Sequence, residues 1–92
     1  MQIIYDPIFE SNLFTIIDHI AKDKPMASIN FTEDLEKMIF DIPNYPFKHR
    51  QSIYFDNENI RDMIFKGHTI VYRINIQKDM IYILDIFNQN KP

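Results

Sequence analysis

Ile60-Arg61-Asp62-Met63-Ile64-Phe65-Lys66-Gly67-His68-Thr69-Ile70-Val71-Tyr72-Arg73-Ile74-Asn75-Ile76 is the stretch on which the reading of this chain turns. Gly67 is the only glycine in the protein. β-Branched and aromatic residues flank it on both sides, the side chains that suit a pleated, half-buried surface. Glycine reaches positive φ without steric cost, as a tight hairpin turn demands. The stretch therefore reads as a β-hairpin: residues 60–66, a turn around Lys66-Gly67, then residues 68–76. A two-residue turn sets Phe65 opposite His68, Arg61 opposite Tyr72 and Ile60 opposite Arg73. Cross-strand partners share a face, so Arg61 and Arg73 point to opposite faces. Ile70, Tyr72, Ile74 and Ile76 make a period-2 apolar set for a covered face. Thr69, Val71, Arg73 and Asn75 fall on the other. Arg61 is expected near the core edge, with an acidic group as its partner. A third run, residues 80–87, follows the polar turn Gln77-Lys78-Asp79. The three runs form a meander, about the least that stands alone as a sheet.

Upstream, Gln2-Ile3-Ile4-Tyr5 is too short for a helix and reads as a first strand docked on the later sheet. Asp6 is placed to cap a helix that Pro7 opens, since the first helical position needs no N–H. Phe9, Leu13, Ile16, Ile17 and Ile20 recur with helical spacing as one apolar stripe. Pro25 disfavours helical geometry in the residue before it, so the helix ends near Asp23-Lys24. A second helix follows, with Ala27, Phe31, Leu35, Met38, Ile39 and Ile42 as its stripe and Glu33, Asp34, Glu36 and Lys37 as its solvated side. It stops at Ile42-Pro43. Tyr45-Pro46-Phe47 continues a proline-pinned loop, Lys48-His49-Arg50 is a short basic run, and residues 51–55 suit an edge strand or an extended loop. The order is β-α-α-β-β-β, an α+β fold with a helical hairpin on one face of a small, mainly antiparallel sheet. The other face is then open to solvent or covered by a partner.

The chain has 92 residues and a formal net charge of -3. That length supports a single domain over residues 1–92 that buries roughly two-thirds of its unfolded surface. The negative balance argues against a strongly basic nucleic-acid binder, although a local patch can act within an acidic whole. The chain has no cysteine, which removes disulfides and thiolate metal sites. No apolar run approaches membrane-spanning length and no leader pattern is present, so a cytoplasmic protein without membrane contact is expected. His19, His49 and His68 are widely spaced, without the pairing that metal ligation uses; neither metal nor cofactor is expected.

Ile3-Ile4-Tyr5-Asp6-Pro7, Phe9 and Leu13, Ile20-Ala21, Ile42-Pro43, Arg50, and then Arg61, Gly67, Ile70-Val71-Tyr72-Arg73-Ile74 and Ile81-Tyr82-Ile83-Leu84 together resemble the RelE/ParE superfamily of bacterial type II toxin–antitoxin toxins. The resemblance covers most of the chain. It implies growth inhibition, a link to plasmid stabilisation, and a cognate antitoxin that neutralises the toxin in a hetero-oligomer. The toxin alone would be a monomer or dimer. RelE-like members cleave mRNA on the ribosome, whereas ParE-like members poison DNA gyrase without being nucleases. A ribonuclease of this kind needs groups that activate a 2′-hydroxyl, stabilise the phosphorane and protonate the leaving oxygen. Arg50, Arg61, Lys66, His68 and Arg73 would be its set, with His68 the best general acid or base. Two features depart from the RelE-like pattern. Thr69 stands where an arginine after the glycine turn would lie. The tail Asn88-Gln89-Asn90-Lys91-Pro92 has one cation and no histidine or tyrosine. The reading is therefore ParE-like, a protein–protein inhibitor of gyrase with Lys48, Arg50, Arg73 and Lys91 as partner contacts. The alternatives are a ribosome-dependent mRNA endoribonuclease and a degenerate, non-toxic binding module.

Overall fold

The computed structural model describes residues 1–88. Five strands and two helices run in the order β1 (Gln2–Tyr5), α1 (Pro7–Asp23), α2 (Pro25–Asp41), β2 (Arg50–Gln51), β3 (Ile60–Phe65), β4 (His68–Asn75) and β5 (Met80–Asn88), with a 3₁₀ turn at Ile42–Asn44. The sheet order is β1-β5-β4-β3-β2, and only the β1–β5 pair is parallel. The helical hairpin, the docked first strand and the meander thus stand as expected. The ambiguous segment after His49 resolves into a two-residue edge strand, β2, and a long loop.

Local chemistry explains the element ends. The Asp6 carboxylate accepts the Ile8 N–H at 2.8 Å, satisfying a donor that the first turn of α1 leaves unpaired. The β3–β4 turn has positive φ at both Lys66 and Gly67, +45° and +77°. Two positive values in a two-residue loop match the right-handed twist of the strands. Phe65 then pairs with His68, Arg61 with Tyr72 and Ile60 with Arg73.

The core lies between the helical hairpin and one sheet face. Phe9, Phe31, Leu35, Ile39 and Ile42 come from the helices and the turn after them, and Met63, Phe65, Ile70, Tyr72, Ile74, Ile81, Ile83 and Ile86 from the sheet. β5 carries an irregularity: Val71 pairs with Asp85 but Tyr72 pairs with Ile83, leaving Leu84 as an extra residue. The bulge shifts the alternation by one position. Ile86 enters the core in consequence, and Phe87 crosses to the far face.

Two expectations are corrected. The far face is not simply open or left to a partner: residues 52–59, between β2 and β3, form a strap over it. The Tyr54 ring meets Phe87 edge-on at 5.1 Å, and Asp62, Thr69 and Val71 on that face are buried. Ile76 does not join the covered apolar set either. It follows the end of β4 and is 62% exposed.

Candidate functional site

The sequence-derived candidates are best located by face. Arg61 lies on the helix-covered side of β3, but its partners are carbonyls and not the expected acid. Its guanidinium donates to the carbonyls of Glu58 at 2.9 Å and His49 at 3.2 Å, and lies over the Phe47 ring at 5.0 Å. Across the ladder, the Tyr72 hydroxyl donates to the Pro46 carbonyl at 2.6 Å. Burial pushes this phenol above its ordinary range, while the nearby Arg61 charge pulls the other way. His49 packs edge-on against Tyr72 at 6.1 Å between centroids. Burial, then the charge of Lys48, lowers its pKa, and Asp41 opposes them. Arg61 and Tyr72 therefore clamp residues 46–49, the loop that presents Lys48. A proline-pinned loop without helix or sheet hydrogen bonds gains its fixed shape from these contacts.

Arg50 sits on β2 with its guanidinium 3.5 Å from the Asp62 carboxylate. Asp62 also accepts the Ile53 N–H at 3.1 Å on the same oxygen, and its side chain is fully buried. Arg50 thus neutralises the anchor of the strap, and its own side chain remains 45% exposed. At the other end of the sheet Lys66 pairs with Asp34 of α2 at 2.9 Å, holding the turn against the helix. This ion pair lowers the pKa of the Asp34 carboxyl.

His68 packs edge-on against Phe31, and its Nδ1 lies 3.0 Å from the Lys66 carbonyl. A carbonyl only accepts, so Nδ1 is the donor in this contact. His68 and His19 both line a groove of about 540 Å³ between α1 and the end of β5. The spacing could not indicate this juxtaposition, because it depends on the crossing of α1 over the sheet. Among the described residues, no group of three or more His, Cys, Asp or Glu is placed to hold a metal ion.

Arg73 lies on the far face with its guanidinium stacked on Tyr82, 4.4 Å from the centroid. It is five residues from His68 on one strand, about 17 Å at ordinary strand rise, and on the opposite face. Arg50, Arg61, Lys66, His68 and Arg73 therefore do not converge on one reacting centre. Lys48 is exposed near Arg50, on the loop that leads into β2. Lys91 lies outside the described residues.

A second surface was not legible as a site. Tyr5, Phe9, Leu13, Leu35, Ile39 and Phe40 line an apolar groove of about 360 Å³ between the two helices, and Glu10 and Glu36 also line it. Phe40 falls one position past the core stripe and is 61% exposed. An aromatic displaced in this way from an otherwise regular stripe was the available signal.

The sequence model of one protein family, described as ParE toxin of type II toxin-antitoxin system, parDE, matches residues 3–91. The chain belongs to the ParE toxin family. A solved structure titled "Chromosomal ParDE TA system from P. aeruginosa" shares the fold, with a TM-score of 0.76 at 14% identity over 96% of this chain and 95% of that one. No curated protein sequence matches the chain. Membership makes it a type II toxin–antitoxin toxin, with its helical hairpin packed on a mixed sheet as in the solved relative. In this ParE-family chain Thr69 is wholly buried beneath the strap side of β4, not presented to solvent. No helix among the described residues is long and apolar enough to cross a membrane.

Proposed function

We propose that this ParE-family toxin arrests growth by binding DNA gyrase, without nuclease chemistry, and that a cognate antitoxin neutralises it. The observation that carries the reading is the dispersal of its cations and histidines. Arg61 is occupied as a loop clamp, Lys66 as an ion-pair partner of α2, and Arg50 as counter-charge to a buried carboxylate. His68 and Arg73 lie at opposite ends and faces of β4. General acid–base catalysis requires its groups within hydrogen-bond reach of one substrate. Lys48, Arg73 and the solvent-exposed part of the Arg50 side chain act instead as separate contacts for a protein target. Lys91, the remaining cation proposed for this role, lies outside the described residues.

The antitoxin's occupant of the helical groove is a segment that folds on binding and lays apolar side chains against Leu13, Ile39 and Phe40. The apolar lining and the exposure of Phe40 support this choice. The strap makes the far sheet face a less open alternative.

Purified toxin with gyrase tests the proposal. Inhibited supercoiling with stabilised cleavage complexes is the expected outcome. Cuts in mRNA on programmed ribosomes, abolished by His68→Ala, would overturn it in favour of a ribonuclease. Induction without growth arrest would reduce the chain to a binding module.

A further inference from the structure

At the end of β4 remote from the glycine turn lies a polar cleft of about 370 Å³, lined by Arg73, Asn57, Asn59, Asn75 and Gln77 among others. The Arg73 side chain is half-buried and has no ion pair or hydrogen bond among the described residues; its guanidinium is held by the stack on Tyr82. Stacking uses the faces of a guanidinium and leaves its N–H edges available.

The asparagines add donors in a defined sense. The Asn59 backbone N–H donates to Asn57 Oδ1 at 2.9 Å, and the Lys78 N–H donates to Asn75 Oδ1 at 3.0 Å. An N–H can only donate, so each bond fixes the amide orientation and leaves the Nδ2 group as a donor. Among the described residues, no carboxylate lines the cleft. Of the flanking acids, Asp79 faces the chain's N-terminal amine at 3.8 Å, while Asp56 and Glu58 adjoin Asn57 in the sequence without lining the cleft. Lys78 follows Gln77 in the sequence and is not part of the lining. The cleft is thus rich in donors around one cation.

We propose that this cleft recognises a single carboxylate presented by a protein partner. The inference rests on reading Arg73 as a partner contact and specifies what it contacts. A guanidinium edge matches a planar two-oxygen acceptor, and flanking amide N–H groups complete its coordination. A polyanionic nucleic acid is disfavoured because phosphate binding needs several cations along a track, and among the described residues this cleft is lined by one, in a chain of net charge -3.

The test uses the full ¹⁵N-labelled chain at neutral pH. Sodium acetate is titrated against sodium chloride at matched ionic strength, with inorganic phosphate and a short single-stranded RNA as further arms. Acetate is expected to shift the Arg73 Nε–H and the Asn57 and Asn75 side-chain amides saturably. It should spare the Asn12 and Asn44 amides, which already donate to Asp85 and Asp41. Arg73→Gln is expected to weaken the apparent affinity by about tenfold, as for the loss of one charge-assisted contact, with the rest of the spectrum unchanged. Equal shifts with chloride, or shifts that survive Arg73→Gln, would overturn the proposal. Tighter binding of phosphate or of RNA at the same resonances would overturn the carboxylate assignment. No gyrase or growth readout enters, so failure of the toxin mechanism leaves this result standing, and the reverse holds too.

Discussion

Burial beside Tyr72 and the adjacent charge of Lys48 hold the His49 imidazole below its ordinary range, and this has a signed consequence. Between the lowered folded pKa and about 6.5, the unfolded chain binds more protons than the folded one. Stability from this group is therefore intact above about pH 6.5 and lost as the pH falls through the folded value. Urea melts at pH 7.5 and 5.5 should show a smaller difference for His49→Gln than for the parent chain. Tyr72→Phe is a second test of the same clamp. It removes the donor to the Pro46 carbonyl and should cost about 1–2 kcal/mol, read as a lower urea midpoint with an unchanged slope. The sequence marked Arg61 and Tyr72 as cross-strand partners, because register follows from a two-residue turn. It could not show that Arg61 is satisfied by carbonyls of residues 49 and 58. Those carbonyls reach it through loops whose paths no periodicity encodes.

The hairpin turn depends on backbone conformation more than on contacts. A Cβ at Gly67 would meet nothing within 4 Å, so the penalty of Gly67→Ala comes from positive φ alone. It should be about 1 kcal/mol, measured by chemical denaturation, with Gly67→Asn costing less because asparagine tolerates that region. The strap is held differently. Asp62 accepts from Ile53 and neutralises Arg50, so Asp62→Ala should destabilise the fold by about 1–3 kcal/mol and speed hydrogen exchange at Ile53. The bulge in β5 had left a trace in the sequence. The buried positions Ile81, Ile83 and Ile86 depart from strict alternation between 83 and 86, and one inserted residue reconciles them.

Across the whole chain, packing residues and binding residues separate by exposure. Leu35→Ala removes a buried side chain from the core and should cost about 2–5 kcal/mol. Phe40→Ser, at an exposed position of the helical groove, should change stability by no more than about 0.5 kcal/mol. Its effect should appear instead as weaker antitoxin binding by calorimetry. Unchanged antitoxin affinity in a folded Phe40→Ser variant would remove the groove from the partner's footprint.

The sequence alone determined the helices, the hairpin, its register and the family. Each depends on local steric preference or on the period of the apolar residues, which the chain carries residue by residue. Tertiary structure decided which cations are free and which are committed. Arg61, Lys66 and Arg50 find their partners in a loop, a helix and a neighbouring strand, and only the closing of the fold brings those together. It likewise turned residues 52–59 into a cover for the far sheet face, and left Arg73 stacked on Tyr82 in a cleft with no acid in its lining among the described residues. Charge pairing depends on separations of a few ångströms between segments distant along the chain, and such distances exist only after the helices have packed on the sheet.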